Sequence, residues 1–303
     1  MNYKHLTINK DALSAHLPKA HELEVQATYV PEYARRGDAD VAVQRALICA
    51  AINFSFWPDK GQAAWTFNEK PGSTGFYMAM AEADEKFPGF YRATFLKSLS
   101  RKALQSVLAG PVEIPMLDER AEILHDVGTR MANRFQGNAM NLLQECQFIA
   151  PKIIALMTNA MPTFRDEALC NGQRATFHKQ AQLFCDESHR ILLNRGHKGL
   201  LALDKLTALA DYRVPQVLRA LGILTYGMEL TAYVDNEQPI EPGHIYEVEI
   251  RQATLDAVAL MVKELANQGI QTTALAVDKW LWLKSREPGL PLKPHHRTRT
   301  THY

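Results

Sequence analysis

The sequence predicts an all-α, mainly helical fold with at most a small β element near residues 62–70. Apolar residues recur at helical spacing over most of the 303 residues, and Gly, Pro or Asp bounds most of these runs. The stretch around Trp65 and Phe67 differs, because aromatic and polar residues alternate there as in a short hairpin. No internal repeat or linker divides the chain, so we expect one helical domain over residues 1–287.

The helical pattern continues in order along the chain. The first strong helix begins at Asp38 or Asp40, and its apolar face consists of Val41, Val43, Ala46, Leu47, Ala50 and Ile52. The same spacing predicts helices over about residues 75–86, 89–97, 100–107, 118–134, 138–145, 147–159, 173–194, 213–221 and 224–231, after Pro242-Gly243, and over about 273–285. Beyond Glu287 the composition changes to Pro, His and basic residues, so we expect residues 288–303 to be a disordered tail.

Composition narrows the class of protein. Hydrophobic residues make up 47% of the chain and charged residues 22%, as in an ordinary globular protein with a substantial core. The net charge of +1 creates no general attraction to nucleic acid or to an anionic membrane. The four cysteines form no CxxC pair, and neither a secretory signal nor a membrane-spanning stretch is present. We therefore expect a soluble, cytoplasmic protein with reduced and mostly buried thiols, and no membrane partner.

A carboxylate, a phenol and a guanidinium follow one another at Asp211, Tyr212 and Arg213, directly before a helix with apolar spacing. Asp is favoured at a helix start, because its side chain accepts hydrogen bonds from the first backbone N–H groups. Asp211 therefore either caps this helix or directs a catalytic carboxylate into a cavity. The residues around it do not separate the two interpretations.

Aromatic residues are concentrated where the first strong helix ends. Residues 53–59 include Phe54, Phe56 and Trp57. Aromatic residues near a helix end most often fill the core, but their flat faces also suit a heterocyclic base. This stretch therefore either fills part of the hydrophobic core or forms one wall of a nucleobase pocket.

Two stretches with charged residues also allow both a structural and a ligand-binding interpretation. Arg165, Asp166 and Glu167 either begin a helix, where acidic residues favour the helix dipole, or point inward to hold a polar ligand. Lys179 shares a helical stripe with Gln182. Such a face is usually solvated, but an inward lysine is a compact point charge that suits a phosphate.

No familiar catalytic or cofactor motif accompanies these residues. The sequence has no Gly-rich phosphate loop, serine elbow or Cys–His pair. The histidines have no metal-ligand spacing, and the dispersed acids Glu247, Glu249 and Asp278 have no spacing that identifies a role. We therefore expect neither a metal nor a cofactor.

Several stretches together resemble the queuosine salvage protein family, the queuosine 5′-phosphate N-glycosylases. The resemblance covers about residues 40–285 and is carried by residues 53–59, 164–168, 179–183, 210–216, 247–251 and 278–282. Their order and joint occurrence make the match specific. The chain departs from the family at Ser55, where Cys is common, at His178 and Gln180, where Tyr and Arg are common, and over its first forty residues.

The family is similar in fold to the helix-hairpin-helix DNA glycosylases, in which an Asp precedes an apolar helix. That pattern is matched by Asp211, Val214, Leu218, Leu221 and Gly222. The glycine-rich hairpin that binds DNA is not recognisable, since only Gly196 and Gly199 lie nearby. The net charge of +1 also gives no basic face to neutralise several phosphates, so we expect no duplex nucleic acid partner.

The resemblance implies an enzyme that releases the base queuine from a small-molecule nucleotide, queuosine 5′-monophosphate, without a cofactor. Cleavage of an N-glycosidic bond passes through an oxocarbenium-like transition state. An ionised carboxylate beside the anomeric carbon stabilises that charge or attacks it, and Asp211 is the residue expected to do so.

The leaving base requires its own stabilisation. Queuine is a 7-deazapurine, so it lacks the ring nitrogen on which an ordinary purine accepts a proton, and its pyrimidine ring must be stabilised instead. By the resemblance, Asp166 or Glu167 would do this, or would hold the secondary amine and cyclopentenediol of the base. Phe54 and Trp57 would stack on the base.

Two negative charges in the implied site require nearby cations, namely the 5′-phosphate of the substrate and the carboxylate of Asp211. By the resemblance, Lys179 with Arg165 would hold the 5′-phosphate. Tyr212, Arg213 or Lys179 would keep a buried Asp211 ionised.

Two other functions stay open at this point. One is a nucleic-acid glycosylase of the DNA-repair type, which requires a basic face and a hairpin. The other is a helical protein that holds a nucleotide without cleaving it. The residues do not predict an oligomeric state.

Overall fold

The structure is a computed structural model that describes residues 3–27 and 29–303. Helices dominate it, as the sequence predicts, and no described helix has both the length and the apolar composition needed to cross a membrane. In chain order the α-helices are α1 (Lys10–Ala15), α2 (Ala20–Ala27), α3 (Ala39–Ala51), α4 (Gly72–Ala81), α5 (Ala83–Lys86), α6 (Ala93–Leu96), α7 (Arg101–Val107), α8 (Leu117–Arg134), α9 (Ala139–Glu145), α10 (Ala150–Ala160), α11 (Lys179–Asn194), α12 (Arg213–Ala220), α13 (Met228–Asp235), α14 (Ile245–Asn267) and α15 (Ala274–Lys284).

Short strands form three antiparallel pairs in the described part of the chain. The strands are β1 (Leu6–Ile8), β2 (Thr66–Phe67), β3 (Lys70–Pro71), β4 (Glu167–Cys170), β5 (Gln173–Thr176) and β6 (Leu224–Tyr226). The pairing of β2 with β3 confirms the small β element expected near residues 62–70. The sequence did not predict the pairs β1–β6 and β4–β5.

The hairpin β4–β5 corrects the helix expected over residues 173–194. Its turn is formed by Asn171 and Gly172, with φ of 50° and 80°. These left-handed values suit an Asn-Gly pair, which is a strong local signal for a hairpin. The helix α11 therefore begins only at Lys179.

The pair β1–β6 corrects a second helix start. Leu6 lies opposite Tyr226 and Ile8 lies opposite Leu224, so residues 224–226 are extended. The helix expected over residues 224–231 consequently begins at Met228. Because the two strands are more than 200 residues apart, no local pattern could predict their pairing.

Two hydrophobic cores meet along α15. The first surrounds α3, which is buried over most of its surface and packs along α11. The second surrounds α14 and includes α12 and the pair β1–β6. Leu275 of α15 belongs to the first core, and Val277 and Leu281 belong to the second. The helix α15 therefore joins the two parts of the protein, and the cavities described below lie beside it.

The expectation of a disordered tail over residues 288–303 is wrong. Tyr303 is only 2% exposed, and its backbone oxygen accepts a hydrogen bond from Ser55 N at 2.9 Å. The guanidinium of Arg299 donates to the backbone oxygen of Trp57 at 2.9 Å. Composition is a poor guide here, because the basic and polar groups of the segment have specific partners on residues 53–59.

Hydrogen exchange should distinguish the docked end of this segment from its exposed beginning. We expect the amides of Thr300 and His302 to exchange about 100-fold more slowly than those of Gly289 and Leu290, because only the former donate hydrogen bonds within the described structure and must open to exchange. Thr300 N, for example, donates to Ser55 Oγ at 3.2 Å. Timed deuteration with mass spectrometry measures the difference. Equally fast exchange in both segments would contradict the docked position.

Candidate active site

Two adjoining cavities lie beside α4, α11, α15 and the start of α12. The inner cavity is lined largely by α11 and α15, and the outer cavity lies beside the start of α4. The residues that line both are Asn53, Ser73, Lys179, Asp211 and Trp282. Asp211 and Lys179 are therefore the charged residues at the junction of the two cavities.

Asp211 lies directly before α12 and caps it. Its Oδ1 accepts hydrogen bonds from the backbone N–H groups of Arg213 at 2.7 Å and Val214 at 3.1 Å. Such donors at a helix N-terminus stabilise negative charge. Its Oδ2 has no hydrogen-bond partner among the described residues. Asp211 is thus a helix cap and a cavity residue at once, with one oxygen fixed and one left for a ligand.

Lys179 is the first residue of α11 and is 4% exposed. Its Nζ donates two hydrogen bonds of 2.8 Å each, to the backbone oxygen and to Oδ1 of Asn53. Burial lowers the pKa of Lys179, and the negative charge of Asp211 opposes that shift. Lys179 and Asp211 therefore form an electrostatic pair at the junction.

The turn that contains Asn53 is held by Arg120. The guanidinium of Arg120 is fully buried and donates to the backbone oxygens of Ile52 and, at 2.5 Å, Phe54. It also lies over the Phe54 ring, with 4.2 Å between the guanidinium carbon and the ring centroid. Burial lowers the pKa of Arg120 to about 9. The buried Arg120 cation therefore fixes the backbone that accepts a hydrogen bond from Lys179, although burial of a charge is energetically unfavourable.

The inner cavity is rich in acidic groups. Glu187 accepts hydrogen bonds from the hydroxyls of Tyr33 and, at 2.8 Å, Tyr77. Burial raises the pKa of Glu187 to about 7, although the two hydroxyls favour its ionised form. Asp186 forms an ion pair of 2.8 Å with Arg190. A polar ligand that carries hydrogen-bond donors suits this lining.

Asp278 of α15 also lines the inner cavity and is 4% exposed. Its Oδ1 accepts a hydrogen bond of 2.9 Å from the backbone N–H of Leu209. Burial raises the pKa of Asp278 well above its usual range, and the negative charge of Asp211 raises it further. The surroundings of Asp278 therefore favour its protonated form.

The outer cavity is rich in basic and hydroxyl groups. Lys70, Arg213 and Arg286 line it, and α4 begins there at Gly72 without a side-chain cap on its first N–H groups. The guanidinium of Arg286 donates to Ser73 Oγ at 3.3 Å. Free N–H groups at a helix N-terminus, together with basic side chains, favour an anion such as a phosphate.

Five of the nine residues expected from the sequence line the two cavities, namely Phe54, Lys179, Asp211, Tyr212 and Arg213. Trp57 does not. The Arg299 guanidinium carbon lies 3.7 Å from the centroid of a Trp57 ring, and His295 contacts that side chain edge-on at 5.8 Å. The C-terminal segment thus occupies the aromatic face expected to stack on a base.

Arg165, Asp166 and Glu167 also lie outside both cavity walls. Arg165 donates to a backbone oxygen near the end of α10 at 3.1 Å, and Glu167 pairs with Arg174 across the β4–β5 hairpin at 2.5 Å. Asp166 is buried against the guanidinium of Arg251, with contacts of 2.9 and 2.5 Å. Burial alone would raise the pKa of Asp166, but the Arg251 charge lowers it overall. Protein partners therefore satisfy all three charges.

No sequence pattern identified Glu187, Asp278 or Arg286 as site residues. One signal was present, because the cavity-lining residues of α11 recur at helical spacing. These residues are Lys179, Leu183, Asp186, Glu187 and Arg190. A charged stripe of this kind usually faces solvent, and only the packing of the surrounding elements encloses it.

His, Cys, Asp and Glu are the potential metal ligands in the described part of the chain. No group of three or more His, Cys, Asp or Glu residues there could hold a metal ion. The four cysteines are buried and free, which confirms the expectation of buried thiols.

The family profile of the queuosine salvage proteins matches residues 33–303. The chain belongs to this family. The matched range includes the five residues that the two cavities share, and it extends through the C-terminal segment.

Relatives within the queuosine salvage family come from bacteria and eukaryotes. The chain is similar to a Sphaerobacter thermophilus protein named queuosine 5′-phosphate N-glycosylase/hydrolase, at 34% identity over 261 residues, which cover 85% of this chain and 80% of the relative. The Mus musculus protein of the same name is 28% identical, with 88% of this chain and 84% of the relative covered. The Dictyostelium discoideum protein of that name is also 28% identical, with coverage of 99% and 94%.

Proposed function

We propose that this protein hydrolyses the N-glycosidic bond of queuosine 5′-monophosphate and releases queuine. The observation that carries the proposal is the position of Asp211, a carboxylate at the junction of an acid-rich cavity and a basic one. The proposed substrate is divided in the same way, since its glycosidic bond joins an amine-bearing base to a sugar phosphate. The names of the relatives support the same reaction.

The inner cavity is the proposed site of the base. Queuine carries a secondary amine and a cyclopentenediol, which require acidic groups and hydrogen-bond partners. Asp186, Glu187 and Tyr77 supply these groups along one side of the cavity. Tyr29 and Trp282 supply aromatic surface for the ring system. These residues take over the roles that the family resemblance had given to Trp57, Asp166 and Glu167, which line neither cavity.

The outer cavity is the proposed site of the 5′-phosphate. The uncapped start of α4 offers backbone N–H groups, and Lys70, Arg213 and Arg286 add positive charge around it. Lys179 lies at the junction instead, where its charge balances that of Asp211. This division orients the nucleotide with its base inward and its phosphate outward.

The ribose then lies beside Asp211. As the bond between C1′ and the base lengthens, positive charge develops on the sugar ring. The Asp211 carboxylate stabilises this charge and needs little rearrangement, because its hydrogen bonds to the backbone already fix it in place. Addition of water to C1′ completes the reaction and yields ribose 5-phosphate.

A product assay tests the proposal. The purified protein is incubated with queuosine 5′-monophosphate, and queuine and ribose 5-phosphate are quantified by mass spectrometry. Release of both in equal amounts, in proportion to the protein added, is the expected result. Tight binding without release would indicate a nucleotide-binding protein. Excision of bases from damaged duplex DNA, with binding that weakens steeply as salt increases, would indicate a nucleic-acid glycosylase.

Arg286→Ala should weaken recognition of the phosphate. We expect KM for queuosine 5′-monophosphate to rise about 10–100-fold with little change in kcat, since a charged hydrogen bond contributes about 1.5–3 kcal/mol. The same variant should cleave the dephosphorylated nucleoside at the wild-type rate. Lys102→Ala removes an exposed cation outside both cavities and serves as the control. Equal losses on nucleotide and nucleoside would contradict the phosphate site.

A further inference from the structure

Four carboxyl groups line the inner cavity, and their surroundings differ in how well they stabilise negative charge. Asp186 has a guanidinium partner at 2.8 Å, and both oxygens of Glu187 accept hydrogen bonds from tyrosine hydroxyls. Asp211 accepts two backbone N–H groups at a helix N-terminus. Asp278 accepts a single backbone N–H group. Among these four, Asp278 therefore has the fewest donors to support an ionised form.

The second oxygen of Asp278 is available to a ligand. Its Oδ1 is held by Leu209 N at 2.9 Å, whereas Oδ2 has no hydrogen-bond partner within the described residues. The residue nevertheless lines the cavity that Asp211 also lines. Burial and the nearby Asp211 charge both raise the pKa of Asp278, so its surroundings favour the protonated form of this carboxyl group. A protonated carboxyl group is a donor as well as an acceptor.

The proposed reaction requires such a donor on the side of the base. When the bond to C1′ breaks, its electron pair stays on the base, which becomes an anion unless it gains a proton. A 7-deazapurine has no nitrogen at the position where ordinary purines are protonated. The proton must therefore reach the pyrimidine part of the base or the departing ring nitrogen, both of which lie inward of the ribose in the proposed orientation.

We propose that Asp278 is the general acid that protonates the departing base, in partnership with the Asp211 carboxylate. This inference rests on the proposed hydrolysis of queuosine 5′-monophosphate. Two carboxyl groups kept in different protonation states by their surroundings are a recurring arrangement in glycosidic cleavage. Here the backbone donors separate the roles, because α12 provides two to Asp211 and the loop before it provides one to Asp278.

The number of protons is conserved in this step. The bond between C1′ and the base breaks, its electron pair goes to the base, and the proton of Asp278 neutralises that pair. Asp278 and Asp211 are then both anionic beside the ribosyl cation. Water adds its oxygen to C1′ and gives up one proton, which the two carboxylates take back because their mutual repulsion raises their affinity for it. The pair ends the cycle with the one proton it had at the start.

Other titratable groups face Asp278, so a pH profile alone does not identify it. Lys179 and Asp186 face it from α11, Lys279 follows it on α15, and Asp211 faces it from the start of α12. Burial, together with the charge of Arg190, lowers the pKa of Lys279 to about 8. The test must therefore compare a leaving group that requires a proton with one that does not, instead of varying the pH alone.

The test compares two leaving groups with Asp278→Asn. Asparagine keeps an oxygen acceptor for Leu209 N but has no acidic proton. With queuosine 5′-monophosphate, we expect queuine release to slow about 100-fold or more, the usual contribution of a general acid. With 4-nitrophenyl β-ribofuranoside 5-phosphate, whose nitrophenolate leaves without a proton, the rate should stay within about threefold of wild type. Equal losses on both substrates, or no loss on either, would overturn the role of Asp278.

A measurement on the wild-type protein tests the same step without any variant. For queuosine 5′-monophosphate, kcat/KM should fall at high pH as Asp278 loses its proton, and for the nitrophenyl substrate this fall should be absent. Identical basic limbs for the two substrates would contradict the inference. Absence of queuine release by the wild type is a different result, since it would refute the proposed function itself.

Discussion

Asp211→Asn is expected to lower kcat for queuine release by about 1000-fold, because removal of one preorganised electrostatic partner of a transition state costs about 10²–10³ in rate. Asparagine caps helices about as well as aspartate, so the backbone N–H groups of Arg213 and Val214 keep an acceptor. The variant should therefore fold normally and bind the nucleotide. It lacks only the negative charge beside C1′.

The matched control for this variant is Asp38→Asn. Asp38 caps α3 by accepting a hydrogen bond from Val41 N at 2.9 Å, and it lies outside both cavities. We expect its activity to equal that of wild type. Single-turnover rates under saturating substrate separate the chemical step from product release. If Asp211→Asn kept more than about a tenth of the wild-type rate, the proposed role of its charge would be wrong.

The largest effect on stability is expected from Arg251→Met. Arg251 is 3% exposed, and its guanidinium lies between the rings of Phe177 and Tyr303, at 3.8 and 4.3 Å from their centroids. It also neutralises the buried carboxylate of Asp166. Removal of one partner from a buried ion pair costs about 3–5 kcal/mol of unfolding free energy, because the other charge stays in a medium that solvates it poorly. Urea denaturation at pH 7 measures the loss.

The pH dependence of this loss follows from the pKa of Asp166, which Arg251 lowers in the folded state. A carboxyl group with a lowered folded pKa adds stability above its unfolded pKa, near 3.9, and that stability is lost as pH falls through the folded value. The difference between wild type and Arg251→Met should therefore shrink below about pH 4. In the control Arg130→Met, an exposed pair with Asp126 is broken, and a loss below about 1 kcal/mol is expected. Similar losses for both variants would contradict the argument.

Helical spacing located most of the helices, since apolar periodicity reflects burial directly. It failed where extended segments pair. Asn171 and Gly172 did carry a local hairpin signal, but the apolar residues after them continued a helical pattern. The C-terminal segment was misassigned for a different reason. Its composition is typical of disorder, whereas its order depends on partners near Ser55 that are remote in the sequence.

The candidate site was predictable in part. Asp211 and Lys179 lie together at the junction, as the family resemblance implied for a catalytic acid and a nearby cation. Asp166 was not distinguishable from a ligand-binding acid, because its partner Arg251 approaches from a helix 85 residues away. Asp278 and Glu187 could not be selected, because their enclosure arises only when α11 and α15 pack beside one cavity. Residue type and spacing identify candidates, and tertiary packing decides which of them face a ligand.

The docked C-terminal segment has a consequence for the order in which the protein is made. Ser55 bonds to a residue 245 positions later, so at about 5–20 residues per second the ribosome needs about 10–50 s to deliver the partner of this turn. Until then the strained backbone of Ser55 lacks that anchor. A chain interrupted before residue 296 carries Asp211 and Lys179, but not the segment that anchors the turn receiving Lys179. Assembly of the site is thereby tied to the synthesis of residues 296–303.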